Sequence, residues 1–285
     1  MPLTNYRKVK NITSIGGGPI GGGWSAFFLS RGYNVKAYLH DKKEKNQFLN
    51  IIDTAWTSLK KLGIKKNASI NNLTISYNLS EALYEADFVQ ESAPENLNTK
   101  QKLYKTLGES LPLDTVIASS TSGLMMSDIQ LKCTTPERTV VGHPFNPPYL
   151  LPLVEIVGGK KTKDKYVKWL YNFYRTAGKA PLILKKEMLE NMQNGSVIVD
   201  LAVESGGNCE FSQVGKVVSK NGLKIVGHAN VPGRVANNAS SLFSKNISNF
   251  LKLMNFEDKK KSMINKSDEI IKATMICSAG KILIK

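Results

Sequence analysis

Short apolar runs of strand length recur along the first two thirds of the chain. Between them, apolar residues return every three or four positions, which is the spacing of an amphipathic helix. The pattern predicts strands at 11–15, 33–39, 73–77, 86–91, 116–119 and 153–157, with helices at 24–30, 41–62, 80–84 and 95–107. This alternation is typical of a doubly wound α/β domain with a mostly parallel, Rossmann-type sheet.

A glycine-rich turn follows the first predicted strand and leads into the first helix. Its spacing is Gly16-x-Gly18-x-x-Gly21. The first glycine permits the tight turn, the second lets backbone amides approach a pyrophosphate, and the third lets the helix pack on the strand. The anion would lie at the positive end of the helix dipole. The turn therefore predicts a dinucleotide site.

The second predicted strand lacks the usual acid at its end. Such an acid, about 20 residues past the glycines, holds the adenosine ribose hydroxyls, and here Leu39 occupies its position. Asp41 lies two residues further on and has the parity to point the same way. We therefore nominate Asp41 as the ribose contact. No arginine is found there to mark a phosphorylated cofactor, so the sequence favours NAD over NADP.

A histidine and a glutamate twelve residues apart form a candidate catalytic pair. His143 begins a proline-rich segment, and Glu155 lies on the strand predicted at 153–157. Histidine is suited to act as a general base, because its pKa lies nearest the working pH. A carboxylate on the other ring nitrogen fixes the tautomer and stabilises the imidazolium. The pair predicts His143 as the base and Glu155 as its orienting partner.

Composition narrows the class of protein. The chain has 285 residues, is 41% hydrophobic and carries a formal net charge of +16. Its lysines are scattered in a way that is typical of a solvated surface, and no nucleic-acid module accompanies them, so we expect no nucleic-acid partner. No apolar run approaches the roughly 18 residues that span a bilayer, and no signal sequence is evident, so we expect a cytoplasmic protein without membrane insertion. No cysteine pairing indicates a metal site.

Four segments in order resemble a known family. The glycine turn, QESAPENLNTKQKLY, VIASSTSGL and GHPFNPPYLLPLVEIVGG are similar to the NAD-binding domain of the 3-hydroxyacyl-CoA dehydrogenases, most of all to the branch of carnitine and gulonate 3-dehydrogenases and lens lambda-crystallins. The resemblance covers about residues 9–185. It implies an NAD-dependent oxidoreductase that moves a hydride from C3 of a 3-hydroxy acid, or its acyl-CoA thioester, to NAD.

The same resemblance implies roles for further residues. It supports the base and its partner at the two positions named above. It adds Ser122 as a contact to the substrate hydroxyl and Asn146 as a residue that shapes the same loop. Glu95 and Lys100 would lie near the nicotinamide end of the cofactor.

The sequence changes character beyond residue 185. The dehydrogenase family continues there into an all-helical domain that supplies its dimer interface and a catalytic asparagine, and this chain does not. Instead, NGSVIVDLAVESGGNCEF, GLKIVGHANVPGRVANNASSLFSKNISNFLKLM and DEIIKATMICSAGKI resemble the end of domain I of the NAD(P) transhydrogenase alpha subunit, over about residues 179–285. The sequence thus predicts an NAD-binding domain at 1–185 and a smaller, partial α/β unit at 186–285. A natural gene fusion and the joining of two neighbouring genes both stay open.

Two other functions stay open beside the dehydrogenase. One is a transhydrogenase alpha-subunit fragment that works with membrane partner subunits, in which Asp200, Glu204 and Asn208 would lie near the cofactor. The other is a noncatalytic NAD-binding protein. As partners of the chain, a second copy in a homo-oligomer and transhydrogenase subunits both stay open. Within the second part, the pattern predicts a buried strand at 196–202, another strand at 224–228 and a helix at 239–254.

Overall fold

The computed structural model describes residues 3, 5–183, 189, 192–200, 203–205, 209, 211–253 and 264–282. The chain forms two compact units, Met1–Gly227 and His228–Lys285. The predicted junction between residues 185 and 186 lies outside the described residues. The division of the chain into two domains at that junction therefore stays a prediction.

An eight-stranded sheet forms the centre of the first unit. Its strands are β1 (Asn11–Ile15), β2 (Asn34–Tyr38), β3 (Leu73–Ser76), β4 (Phe88–Glu91), β5 (Val116–Ser119), β6 (Thr139–Pro144), β7 (Leu153–Gly158) and β8 (Ala180–Ile183). They are arranged in the order β3-β2-β1-β4-β5-β6-β7-β8. Every neighbouring pair is parallel except β6 and β7. The predicted doubly wound, mostly parallel α/β fold is confirmed.

Helices cover both faces of this sheet. They are α1 (Pro19–Ser30), α2 (Glu44–Leu62), α3 (Leu79–Leu83), α4 (Leu97–Ser110), α5 (Met126–Ile129) and α6 (Asp164–Ala177). One buried cluster joins α1, α2 and α6 to the sheet and is rich in aromatic rings, with Trp24 stacked on Phe28 and Tyr174. A second cluster, which includes Tyr104 and Ile129, lies under α4 and α5. Two separate apolar cores thus hold the sheet between layers of helix.

Capping decides where the helices begin. Helix α1 starts earlier than predicted, because Pro19 occupies its first turn and Gly18 precedes it as the N-cap. Helix α4 starts later than predicted, at Leu97, because the Asn96 side chain accepts a hydrogen bond from the Thr99 amide at 3.0 Å. These caps place the turns at the carboxyl ends of the strands.

The strand order reverses beside β1. Strand β1 pairs with β2 on one side and with β4 on the other, so that Ile15 lies opposite both Tyr38 and Glu91. The connections after β1 and after β4 therefore lead to different sides of the sheet, and a crevice opens outside the carboxyl ends of the two strands. The glycine turn follows β1 at this crevice.

A smaller sheet of three strands comes after the large one. It contains β9 (Val197–Val199), β10 (Val217–Lys220) and β11 (Leu223–Val226), in the order β10-β11-β9. The prediction of a buried strand at 196–202 is wrong in burial, since Val197 and Val199 are 57% and 52% exposed. The physical reason is the strand register: Val197 lies opposite the exposed Lys224, whereas Ile198 lies opposite the buried Ile225. Successive side chains of a strand point to opposite faces, so Val197 and Val199 share the exposed face. Residues 201 and 202 of the predicted strand lie outside the residues that the structure describes.

The second unit is built mainly from helices. It contains α7 (Val231–Arg234), α8 (Ala236–Leu253) and α9 (Glu269–Thr274), with a short pair of strands, β12 (Cys277–Ser278) and β13 (Lys281–Ile282). Helix α8 presents large apolar side chains to solvent, Leu242 and Phe243 among them. Among the helices that the structure describes, none combines the length and apolarity needed to cross a bilayer.

Lys179 is a buried lysine that anchors the loop after β6. Its Nζ donates to the carbonyl oxygens of Pro148 and Leu151, the latter at 2.9 Å, and lies 4.0 Å from the centre of the Phe27 ring. Burial, aided by the nearby charge of Arg31, lowers the pKa of Lys179 to about 7. The pKa of Lys179 is thus lower in the folded protein than in the unfolded chain.

We expect Lys179 to make stability rise with pH. The folded state loses this proton near pH 7, whereas an unfolded lysine keeps it to about pH 10. Between those values the unfolded state binds more protons, so the free energy of unfolding should increase by up to about 1.4 kcal/mol per pH unit. Urea unfolding at pH 7, 8 and 9 should show a shallower rise in Lys179→Met than in the natural chain.

The exposed Lys165 of α6 provides the matched control. Lys165→Met removes the same charge without removing a buried contact, so it should keep the pH dependence of the natural chain. An identical rise in Lys179→Met and Lys165→Met would contradict the assignment.

Candidate active site

The glycine turn after β1 has close backbone neighbours at two of its glycines and open space at the third. Gly16 has φ of 116°, and a Cβ there would collide with the carbonyl oxygen of Ser92. A Cβ on Gly21 would collide with the carbonyl of Gly16, whereas one on Gly18 would meet no atom within 4 Å. Gly18 thus faces free space at the start of α1. A pyrophosphate requires such an opening beside backbone amides and a helix N-terminus.

Glu91 ends β4 as a completely buried carboxylate. Its Oε1 accepts hydrogen bonds from Lys100 Nζ at 2.6 Å and from the Ala93 amide at 2.7 Å. Its Oε2 accepts from Ser119 Oγ at 2.6 Å and from the Tyr104 hydroxyl at 3.3 Å. Each oxygen therefore has two donors, which is what a buried charge needs to be tolerated. Sequence analysis missed Glu91, although an acid at the end of an apolar strand was a visible signal.

Glu95 holds the loop that follows β5. Its Oε1 accepts from Thr121 Oγ1 at 2.5 Å, from the Ser122 amide at 2.9 Å and from the Gly123 amide at 3.1 Å. Burial opposes its ionisation, but these hydrogen bonds and the charge of Lys100, 3.6 Å from Oε2, outweigh that effect and lower the pKa of Glu95. Glu95 thus fixes the backbone around Ser122.

Lys100 links the two acids from a buried position. Its side chain is 1% exposed and contacts both Glu91 and Glu95. The structure therefore places Lys100 beneath the loop that carries Ser122, as a support for it. Its predicted place near the nicotinamide stays a prediction.

His143 and Glu155 form a hydrogen-bonded pair. They lie directly opposite each other on the antiparallel strands β6 and β7, which explains their separation of twelve residues. Glu155 Oε2 is 2.9 Å from His143 Nδ1, and both side chains are 22% exposed. If Nδ1 carries the proton donated to the carboxylate, Nε2 is the free acceptor. Nε2 makes no hydrogen bond to any residue in the described part of the chain, so it is available to a ligand.

A buried polar network lies behind this pair. Ser120 Oγ receives hydrogen bonds from Trp24 Nε1 at 3.2 Å and from Gln90 Nε2 at 2.9 Å. Gln90 also reaches the carbonyl of Gly142 at 3.4 Å and accepts from the Tyr174 hydroxyl. The network connects α1, β4 and α6 to the residue before His143. Because these polar groups are buried and paired, they fix the local geometry.

The register of the strands brings most of the predicted site residues to the edge of the sheet where the parallel strands have their carboxyl ends. Ser119 at the end of β5 lies opposite Val141 of β6, so Ser122 and His143 both follow shortly after neighbouring positions. Asn146 lies exposed in the loop after β6, and its side chain makes no hydrogen bond to a described residue. Asp41 is also exposed, in the turn between β2 and α2.

We expect Lys100→Met to destabilise the protein strongly. The change leaves the buried carboxylate of Glu91 without its cation, and breaking a buried pair in this way costs about 3–5 kcal/mol. Urea unfolding should show that loss. Addition of Glu91→Gln should recover part of it, since the unpaired charge is then removed.

Lys102 offers the matched control, because it is exposed on the same helix. Lys102→Met should change the free energy of unfolding by no more than about 0.5 kcal/mol. Equal stability of Lys100→Met and Lys102→Met would contradict the stabilising role of the buried ion pair between Lys100 and Glu91.

The first part of the chain is similar in sequence to curated proteins. An L-carnitine dehydrogenase of Streptomyces coelicolor is 44% identical over 186 residues, which cover 65% of this chain and 58% of that protein. An L-carnitine dehydrogenase of Bacillus cereus is 39% identical, with the same coverage of both chains. The chain thus spans a little over half the length of these curated relatives.

Solved structures match the same part. A 3-hydroxybutyryl-CoA dehydrogenase from Escherichia coli has 28% identity and a TM-score of 0.58, covering 62% of this chain and 38% of that one. A 5-formyl-3-hydroxy-2-methylpyridine 4-carboxylic acid 5-dehydrogenase, described as an NAD+ dependent dismutase, has 30% identity and a TM-score of 0.58, covering 62% and 58%.

Family models match both parts of the chain. The model described as alanine dehydrogenase/PNT, C-terminal domain, matches residues 175–285. The model described as 3-hydroxyacyl-CoA dehydrogenase, NAD binding domain, matches residues 11–188. Both resemblances drawn from the sequence are confirmed, and the two matches overlap at the predicted junction. Residues 175–285 are similar to the alanine dehydrogenase/PNT C-terminal domain. The chain belongs to the 3-hydroxyacyl-CoA dehydrogenase NAD-binding domain family.

Proposed function

We propose that the chain is an NAD-dependent dehydrogenase that oxidises the C3 hydroxyl of a small 3-hydroxy acid or its thioester. The observation that carries the proposal is the 2.9 Å contact between His143 and Glu155 at the same sheet edge as the glycine turn. The names of the relatives support the substrate class, since carnitine is itself a 3-hydroxy acid. A 3-hydroxybutyryl-CoA dehydrogenase among the solved structures extends the class to acyl-CoA thioesters.

The residues at the glycine turn fit NAD. Gly16 and Gly21 let the backbone close tightly, and Gly18 leaves the space that a pyrophosphate needs. When bound, NAD supplies the acceptor for the hydride that leaves C3 of the substrate. Thr121, Ser122 and Gly123 lie in the loop after β5, on the side of β6, and Glu95 holds this loop by its hydrogen bonds to them.

The side chains divide the proton chemistry between them. His143 Nε2 takes the proton of the substrate hydroxyl, while Glu155 keeps Nδ1 protonated and stabilises the positive ring that results. Ser122 holds the hydroxyl oxygen in place, and Asn146 shapes the loop beside it. Glu95 fixes the Ser122 backbone, so that Ser122 is positioned before substrate arrives. Cytoplasmic location, a homo-oligomer and partner subunits stay predictions of the sequence.

A pair of glycine variants tests the cofactor turn. Gly18 has an ordinary φ of −77° and open space at its Cβ position, so Gly18→Ala should fold normally. Its methyl group would occupy the place of the pyrophosphate, and the Kd for NAD should rise at least about tenfold. Gly21→Ala forces a clash with the Gly16 carbonyl and should cost about 1–3 kcal/mol of stability.

Titration with NAD and urea unfolding of both glycine variants separate binding from folding. If the Gly18→Ala variant binds NAD as tightly as the natural chain, the assignment of the pyrophosphate site is contradicted.

Turnover tests the catalytic pair. The purified chain should form NADH from NAD with at least one of L-carnitine, gulonate and 3-hydroxybutyryl-CoA, as followed by NADH absorbance. His143→Gln should lower kcat by about 10²–10⁴-fold, because the base is lost while the cofactor turn is intact. Glu155→Gln should lower kcat as well, since a neutral amide stabilises the imidazolium less well.

Glu109, an exposed acid at the end of α4, supplies the control for Glu155. Glu109→Gln should leave kcat and the Kd for NADH unchanged. NAD binding with no turnover in the natural chain would instead favour the noncatalytic NAD-binding protein.

The transhydrogenase fragment is the second candidate, and the family match over residues 175–285 favours it. Of its proposed residues, Asp200 is buried and accepts a hydrogen bond from the Cys209 amide at 3.2 Å, and Glu204 lies in a short helical turn. Asn208 lies outside the described residues. If this part alone held the cofactor, Gly18→Ala would leave NAD affinity unchanged.

A further inference from the structure

The end of β2 offers no carboxylate to a nucleotide. Leu39 follows directly after the strand, is completely buried, and contacts the glycine turn. A Cβ placed on Gly17 would lie 3.2 Å from Leu39 Cδ2. An apolar side chain at this point cannot accept a hydrogen bond from a ribose hydroxyl.

The next acid, Asp41, serves the turn that leads into α2. Its Oδ1 accepts a hydrogen bond from the Lys43 amide at 2.9 Å, and its carbonyl oxygen accepts from the Glu44 amide at 3.0 Å. This arrangement is an Asx-type turn that fixes the start of the helix. The side chain of Asp41 thus has a structural partner in its own turn.

Glu44 lies against the glycine turn, although it comes 28 residues after Gly16. It is the first residue of α2, and a Cβ placed on Gly17 would be 2.6 Å from its Oε2 and 3.1 Å from its Cβ. The side chain is half-buried. It makes no hydrogen bond or ion pair with any residue in the ranges that the structure describes. The carboxylate of Glu44 therefore lies beside Gly17, the residue before Gly18 in the glycine turn, without a partner among the described residues.

We infer that Glu44 takes the place of the missing strand-end acid and accepts a hydrogen bond from the adenosine ribose of NAD. The inference rests on the proposed NAD site and names the residue that selects the cofactor there. In a sheet of this kind the adenosine ribose lies beside the end of β2, next to the pyrophosphate turn. The carboxylate of Glu44 lies beside this turn.

The charge of Glu44 would also favour NAD over NADP in this basic chain. A net charge of +16 attracts the more anionic NADP in general, and the exposed side chains of Lys42, Lys43 and Lys45 flank the site. A carboxylate at the ribose repels a 2′-phosphate at short range. Glu44 thus opposes the field of the surrounding lysines at the one point where the two cofactors differ.

Cofactor titrations of Glu44→Gln test the inference. The Kd for NAD should rise about tenfold, which is typical when a charged acceptor of a ligand hydroxyl is lost. The Kd for NADP should fall or stay the same, so that the preference for NAD over NADP decreases by at least about tenfold. With the 2′-deoxyribosyl analogue of NAD, the natural chain and Glu44→Gln should bind alike, because the hydroxyl partner is absent from both.

Asp53→Asn provides the matched control, since Asp53 is exposed on the same helix, about 13 Å further along its axis. It should leave both Kd values unchanged. Equal NAD affinity of Glu44→Gln and the natural chain would overturn the inference while leaving the NAD site in place. If Asp41→Asn lowers the affinity for NAD and Glu44→Gln does not, the contact to the adenosine ribose belongs to Asp41. Absence of NAD binding by the natural chain would overturn the proposed function and this inference together.

Discussion

The reversal of strand order beside β1 is the constraint on which the site depends. Because β1 has parallel neighbours on both sides, the carboxyl ends of β2, β1 and β4 meet at one edge. The chain leaves these ends toward opposite faces of the sheet, so backbone and helix N-terminus are exposed between them. The candidate residues come from strand ends and from loops at this edge. No single segment of the chain contains the site.

Buried charge holds the loops at this edge in place. Glu91 connects β4 to β5 through Ser119, and to α4 through Lys100. Lys100 extends the connection to Glu95, which fixes the backbone at Ser122. A buried carboxylate is tolerated only when its partners are complete. The same set of contacts that satisfies Glu91 therefore positions the loop that would contact substrate.

Sequence patterns captured the local features of this fold. Apolar runs gave β1 and β5 with correct bounds, and the glycine spacing located the turn at the crevice. The separation of His143 and Glu155 was informative because their strands are neighbours in a hairpin. In each case the relevant partners lie close in sequence or follow a fixed period.

Features set by side-chain reach and distant neighbours were harder to predict. Asp41 has the expected parity, but Glu44 is the acid that contacts the glycine turn, since a helix start and a long side chain bring it back. The sequence pattern did not indicate that Lys100 is buried, because its partner Glu91 lies on β4, outside the helix that carries Lys100. The strand predicted at 196–202 is apolar enough for a core, but its burial depends on what covers each face of the sheet, and Val197 and Val199 lie on the exposed face.

A crystal structure of the chain with NAD bound tests the central claim most directly, namely that the edge beside β1 is a dehydrogenase cofactor site. The pyrophosphate should lie on Gly18, the adenosine ribose beside Glu44, and the nicotinamide on the side of the sheet edge that carries Ser122 and His143. Density for NAD at residues beyond 186, or with its nicotinamide directed away from His143, would contradict the claim.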